Sequence, residues 1–404
     1  MKSRIAAAVT AIVVGFTAVT TATAAPIFDP QDPFYLQPVP AGAAPGELIA
    51  TAPIDPTAHK ILYTSTDVHG QPVPVSGTVY EPFGAWNGAL LALAPGTQGQ
   101  GDACAPSRDP VLSVDGATPA VGTNYEIPAV LAARGRGYRV VVTDYVGLGT
   151  PSVHGYLVRD EEGMALIDAA RAATGTTGTP VVFYGYSQGG GAAAIAAEKA
   201  ATYAPELNLV ATYAGAIPAN LLDTSESVDN SLLTGVLGYG FNAYYDRYPQ
   251  IRPTVDELLN ARGHEFLDTT RTGCIADTIV RWAFTDTRTL TTNGWSLHEV
   301  MTNIPEFRAI AEANNVGHGT PSRPILIATS RGDDSIPPAQ VYDLARGYCA
   351  RGAMVDVNTN TFPQLGHKNA LNHLAPIYTN ITVGLDWLGE RLAGVAAPNR
   401  CDSI

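Results

Sequence analysis

Apolar and polar positions alternate over residues 61–80, through Ile61-Leu62-Tyr63-Thr64-Ser65-Thr66 and Val73-Pro74-Val75-Ser76-Gly77-Thr78-Val79-Tyr80. A period of two sends successive side chains to opposite faces, which predicts an antiparallel pair at a sheet edge. From residue 88 the pattern changes to largely apolar runs at Ala89–Ala94, Arg139–Thr143, Val181–Tyr184, Leu209–Ala214 and Ile325–Thr329. Such runs fit strands covered on both faces. Stretches with helical composition lie between them, over about 126–136, 159–173 and 188–203. Strands and helices in alternation predict a doubly wound, mostly parallel α/β sheet.

The alternation breaks after residue 216 and resumes at 325. A structureless loop of that length is implausible in a compact domain. Helical pieces near 254–261, 275–284 and 305–314 point instead to an inserted, mainly helical cap over 222–319, with the core formed by 25–221 and 320–404. Leu232, Leu233, Leu237, Tyr239, Phe241, Tyr244, Tyr245, Trp282 and Phe284 would suit the lining of an apolar substrate site. Taken singly, each fits the cap's own core better. Residues 26–60 are Pro-rich and read as irregular chain wrapping a surface.

The first residues read as a secretory signal. Lys2 and Arg4 make a positive start, Ile5–Val19 is apolar, and Ala22-Thr23-Ala24 is a small-residue cleavage site, so 1–24 is expected to be removed after Ala24 and the protein secreted. The 404-residue chain is 46% hydrophobic and only 15% charged, which allows a sizeable core. Its net charge of −13 argues against nucleic acid as an electrostatic partner. Four cysteines, Cys104, Cys274, Cys349 and Cys401, in an exported chain imply two disulfides. Three pairings are open; Cys104–Cys274 with Cys349–Cys401 is the expected one, the second clamping the C-terminal tail. No Cys-x-x-Cys or Cys/His cluster calls for a metal, and no cofactor is implied.

The chemistry centres on Gly185-Tyr186-Ser187-Gln188-Gly189, between the apolar run at 181–184 and an Ala-rich helical stretch. A strand, a sharp turn and a helix make Gly-x-Ser-x-Gly a nucleophile elbow, with Ser187 the nucleophile. A serine hydroxyl needs a base, and the base needs an orienting acid; on this sheet type they follow in the order acid, then histidine. The turn after the run at 325 carries Asp333 and Asp334; its Asp-x-x-Ile-Pro spacing to Pro337 favours Asp333 over Asp334. Of eight histidines, His367 is the one preceded by a strand-like segment, Val355 onward, and a glycine. His373 is the competitor, placed in the closing helix. His154 and His318 come too early in the order. The oxyanion donors are expected from the backbone of Gln188 and from the loop Gly96-Thr97-Gln98-Gly99, with Thr97 and Gln98 as candidates.

These motifs resemble the secretory lipases of the fungal lipase A type, a family with many actinobacterial members. The likeness rests on Asp32-Pro-Phe-Tyr35, Pro95-Gly-Thr-Gln-Gly99 with Cys104-Ala-Pro-Ser107, Asp144-Tyr-Val-Gly-Leu-Gly-Thr150, Gly163, Asp168, Arg171-Ala-Ala, the elbow with its extra Gly190, and Pro337-Pro-Ala-Gln340. The resemblance implies an α/β-hydrolase core with a helical cap, acting on carboxylic esters, often acylglycerols, with a lipid–water interface as a candidate partner. It carries the nucleophile, acid and base onto Ser187, Asp333 and His367, and implies a disulfide from Cys104 to the insertion. A carboxylic acid that aids the oxyanion hole in the fungal lipase has Gln98 in the matching loop here, with Asp102 a few residues on. The elbow is also similar to that of cutinases, which are small and uncapped. The function read from the sequence is therefore a secreted serine lipase or carboxylesterase. The alternatives are an acyltransferase or cutinase-like polyester hydrolase with the same triad, and a non-catalytic binding protein on this fold.

Overall fold

The computed structural model describes residues 28–108, 112–114, 121–174 and 178–404. The signal segment expected at 1–24 lies outside them. One nine-stranded sheet organises the chain. Its strands are β1 (Leu48–Asp55), β2 (Ala58–Thr66), β3 (Pro72–Tyr80), β4 (Leu90–Ala94), β7 (Arg139–Thr143), β8 (Val181–Tyr186), β9 (Leu209–Gly215), β10 (Ile325–Ser330) and β11 (Val355–Asn360). Two short strands, β5 (Leu112–Val114) and β6 (Val121–Thr123), pair separately. The order across the large sheet is β1-β2-β3-β7-β4-β8-β9-β10-β11. The first three strands pair antiparallel, β3 joins β7 antiparallel, and every later pairing is parallel. This is the mostly parallel α/β sheet expected from the periodicity, with the alternating segment at its edge.

The continuous apolar runs become strands with two buried faces. Leu90, Ala92, Val181 and Phe183 face one cluster, built with Ala165, Leu166 and Ala169 of α2 (Arg159–Thr174) and Ala192, Ala193 and Ala196 of α3 (Gln188–Tyr203). Leu91, Leu93, Val182 and Tyr184 face the other, built with Ala129 and Val130 of α1 (Ile127–Gly135) and Leu385 and Leu388 of the last helix (Ile381–Leu392). A strand in this position keeps its period of two in space, but loses it in hydropathy because both faces must be apolar.

One expectation fails at the N-terminal side. The segment 26–60 is not irregular throughout: β1 and the start of β2 fall inside it. β1 is the outermost strand and half exposed, and its pairing with β2 slips near Pro53. An edge strand tolerates a residue without an N–H, so the prolines that argued against a strand are compatible with this one.

Between β9 and β10 the chain forms only helices: α4 (Leu221–Val228), α5 (Val236–Arg247), α6 (Arg252–Leu258), α7 (Ala261–Thr272), α8 (Ile275–Trp282), α9 (Leu297–Asn303) and α10 (Pro305–Ala313), with two short 3-10 turns. They share a core that also takes in Tyr156 and Val158. After β10 come α11 (Pro338–Ala350), α12 (Leu371–Thr379) and α13, the helix Ile381–Leu392 already met. Among the described residues no helix is long and apolar enough to cross a membrane.

Candidate active site

The turn after β8 carries Ser187 at φ 60° and ψ −122°, a backbone conformation that non-glycine residues rarely adopt. The surrounding structure enforces it. Ser187 N–H donates to the Gly215 carbonyl at 2.9 Å, and α3 begins at the next residue. A Cβ on Gly185 would lie 2.0 Å from the Gly189 carbonyl oxygen, and one on Gly189 would lie 2.0 Å from that of Ala94. Only hydrogen at both positions lets the helix start this close to the ends of β4 and β8. The serine hydroxyl is thereby held half-buried at the carboxyl edge of the sheet, where ligands of such sheets bind.

Ser187 Oγ lies 2.9 Å from His373 Nε2, and His373 Nδ1 lies 2.9 Å from Asp333 Oδ2. His373 and Asp333 are both buried. Asp333 sits in the turn after β10. Its Oδ1 accepts the backbone N–H groups of Ser335 at 3.0 Å and Ile336 at 2.9 Å, which leaves Oδ2 for the imidazole. Asp334 faces the other way: its Oδ2 accepts N–H from Asn369 and Ala370, at the entry to α12. Asp356 is engaged by Trp387 Nε1 and Arg400 Nε, away from both histidines considered for the base.

The expected base, His367, is not at the serine. It is exposed, and among the described residues its side chain has no hydrogen bond or ion pair. The chain does not return to the sheet edge directly after β11. It runs through residues 361–370, and Lys368 ties that stretch to the helical insertion: its Nζ donates to the Asp229 carbonyl at 2.6 Å and its own carbonyl accepts Leu232 N–H at 2.8 Å. Lys368 and Ala370 then take left-handed φ values of 55° and 58°, turning the chain into α12. The first turn of that helix delivers His373. Tyr186, the residue before the nucleophile, anchors this arrival by donating its hydroxyl to the His373 carbonyl at 2.9 Å. A rule that takes the first histidine after the last strand misses the histidine that the next helix places beside Ser187.

The loop expected to supply an oxyanion donor, Gly96–Gly99, follows β4. Gln188 opens α3, so its backbone N–H is one of the donors a helix leaves without an internal acceptor. Thr97 Oγ1 is within 2.8 Å of Tyr156 Oη, and Gln98 is buried with its amide folded back on the Gly96 carbonyl at 3.3 Å. Either hydroxyl of the Thr97–Tyr156 pair can be its donor, and the Gln98 amide nitrogen keeps a second hydrogen beyond the one directed at Gly96. Asp102, the other candidate for the fungal carboxyl, accepts Gly149 N–H at 3.0 Å. Its burial pushes its acid up to about 6. The loop is pinned to the insertion by the Cys104–Cys274 disulfide and by Gln100 N–H donating to the Gly273 carbonyl at 3.0 Å. The second disulfide joins Cys349 to Cys401, near the C-terminus.

Most of the apolar residues offered as a substrate lining are packed inside the insertion: Leu237, Tyr239, Phe241, Tyr244 and Trp282 all belong to its core cluster. Phe284 is partly exposed, at a left-handed φ of 58°. Among the described residues no group of three or more His, Cys, Asp or Glu side chains is placed to hold a metal ion.

The family model described as Secretory lipase matches residues 114–399. The chain is 28% identical to a protein named Probable inactive lipase MT1628 from Mycobacterium tuberculosis, over 91% of this chain and 83% of that one. It is 25% identical to the Secreted triacylglycerol lipase LIP1 of Malassezia furfur, over 83% of this chain and 72% of that one. Among solved structures it is similar to Candida antarctica lipase A in its closed state, with a TM-score of 0.78 at 21% identity, covering 93% of this chain and 89% of that one. That likeness identifies the α/β-hydrolase fold.

Proposed function

The chain belongs to the secretory lipase family, and on that premise we propose that it is an exported serine hydrolase of carboxylic esters, acylglycerols among them, acting through Ser187, His373 and Asp333. The observation that carries this reading is the relay of two 2.9 Å contacts from Ser187 Oγ through the His373 ring to Asp333 Oδ2. In the active tautomer His373 Nδ1–H donates to Asp333 and Nε2 accepts from the serine hydroxyl. Ser187 Oγ attacks the ester carbonyl carbon while Nε2 takes its proton. The carbonyl oxygen becomes an oxyanion, met by the Gln188 backbone N–H and a backbone N–H of the loop Gly96–Gly99. The intermediate collapses, His373 returns the proton to the leaving alkoxide, and the acyl group stays on Ser187. Water then attacks the acyl-enzyme, giving up its proton to His373, and a second collapse frees the acid and Ser187. Asp333 stays ionised throughout and steadies the imidazolium.

The helices over 221–313 form the cap in this reading, and residues 1–24 a leader cleaved after Ala24. Similarity to a protein named as an inactive lipase gives weight to one other reading, a non-catalytic binding protein. The intact Ser–His–Asp contacts speak for catalysis. Purified Ser187→Ala should lose p-nitrophenyl ester hydrolysis and fluorophosphonate labelling while keeping its fold. Near-native turnover in that variant, or a native chain that no fluorophosphonate labels, would overturn the proposal.

A further inference from the structure

Behind the elbow three buried polar side chains meet. Gln188 Nε2 lies 2.8 Å from Glu162 Oε1 and 3.1 Å from His154 Nε2. An amide nitrogen carries two hydrogens, so both are engaged. For His154 Nε2 to accept, the ring proton must sit on Nδ1, and Nδ1 faces the Val146 carbonyl at 3.3 Å. Burial lowers His154 to about 3, so the ring is neutral. Glu162 Oε1 also accepts Leu157 N–H at 2.8 Å, and burial raises its acid to about 8.

A second buried acid stands under the other half of the site. Glu126 Oε1 accepts the Gly96 N–H at 2.8 Å, and its neighbour Tyr125 donates its hydroxyl to the Thr97 carbonyl at 2.9 Å. Tyr156 Oη reaches Thr97 Oγ1. The stretch 154–157 therefore touches both halves: His154 and the Leu157 N–H on the elbow side, Tyr156 on the loop side. Neither acid contacts Ser187, His373 or Asp333. Burying a carboxyl group costs stability unless every partner is in place, and apolar side chains could fill the same volume. What acids supply here, and apolar groups would not, is direction.

We propose that Glu162 and Glu126 are positioning residues of the oxyanion site: Glu162, with His154, fixes the residue that provides one backbone donor, and Glu126 fixes the loop that provides the other. The inference rests on the oxyanion reading given under the proposed function. A displacement of about 1 Å at such a site is enough to cost about 100-fold in rate.

The test uses the purified full chain. Glu162→Asp and Glu126→Asp keep an acid in place but draw its oxygen back by one methylene; Glu162→Gln and Glu126→Gln keep an acceptor at the original reach. Turnover of a p-nitrophenyl ester is measured per active site titrated with a fluorophosphonate. The Ki of an alkyl trifluoromethyl ketone is measured alongside, since its serine adduct carries the oxyanion. The Asp variants should lose about 10- to 100-fold in kcat per titrated site with KM within about threefold, and the Ki should rise by a matching factor. The Gln variants should return to within about threefold of the native enzyme. Native kcat per titrated site in the Asp variants, or a fall in kcat with an unchanged Ki, overturns the inference. Should Glu162→Asp yield no soluble protein, Gln188→Met removes the Gln188 hydrogen bonds to Glu162 and His154 from the other side and is read by the same two criteria. Ser187→Ala run in parallel separates the failures: if it is inactive while the Asp variants run at the native rate, only the positioning inference falls; if it keeps turnover, the catalytic reading falls first.

Discussion

Ser187 Oγ and His373 Nε2 stand 2.9 Å apart although 186 positions separate them in the chain. Replacing His373 with Ala should therefore cut kcat/KM for a soluble ester by at least about 10³-fold, the scale of a lost general base in a covalent mechanism. His367→Ala, at an exposed site, should stay within about twofold of native. Steady-state kinetics on both variants decides the matter: a large loss at position 367 with activity kept at 373 would reverse the assignment.

The two adjacent aspartates should separate in the same assay. Asp333→Asn removes the partner of Nδ1 and favours the wrong tautomer, so a loss of about 10³- to 10⁴-fold in kcat is expected. Asp334 braces the turn that leads into α12, accepting N–H from Asn369 and Ala370 just before the helix starts. Asp334→Ala should lower stability by about 1 kcal/mol, as loss of hydrogen bonds that hold a turn does, and reduce turnover far less than Asp333→Asn. Equal losses in kcat at the two positions would contradict the geometry.

What the sequence made legible follows from how local each signal is. The sheet, the elbow and helix stretches such as 159–173 and 188–203 were readable, the first to within one residue, because apolar runs, glycine spacing and Ala-rich composition are properties of short windows. Asp333 was readable from its turn. The placement of His373 beside Ser187 was not, because it depends on ten residues after β11 that bend toward the insertion before a helix starts, and nothing in their composition fixes that path. Strand β1 was hidden for a similar reason: Pro53 within it argues against a central strand, and only the sheet order reveals that it lies at the edge. The buried acids Glu126 and Glu162 were invisible as such, since a glutamate at a helix start reads as a solvated first turn. Their partners are supplied by segments 30 and 26 positions away.

The two disulfides should have different consequences. Cys349–Cys401 closes the C-terminal tail onto α11, so a Cys349→Ser/Cys401→Ser double variant should lose stability, by about 2–5 kcal/mol, and keep its kcat. Cys104–Cys274 joins the segment after the loop Gly96–Gly99 to the first residue before α8. Its removal should lower both the melting temperature and kcat. Calorimetry and ester kinetics on the two double variants test the contrast; an unchanged kcat without Cys104–Cys274 would detach that bridge from the site.

The buried acid behind the elbow sets a pH dependence of stability whose sign is fixed. Burial raises Glu162 in the folded chain to about 8 from an ordinary 4.5. Between these values the unfolded chain has released the proton that the folded chain still holds. The folded state thus binds more protons, and stability falls as pH rises through that interval, levelling off above about 8. Glu162→Gln removes the titration while keeping an acceptor for Leu157 and Gln188. The melting temperature of the variant minus that of the native protein should therefore climb from about pH 4.5 to about pH 8 and then stay level. His154, lowered to about 3, acts with the opposite sign on the acid side, losing its contribution as pH falls below about 6.5, but it is present in both proteins and largely drops out of the difference. Thermal melts of the pair across pH 4.5 to 9 give the answer. A difference that is constant over that range would mean that the folded chain ionises Glu162 as readily as the unfolded one, and that the elbow rests on a carboxylate rather than on a neutral acid.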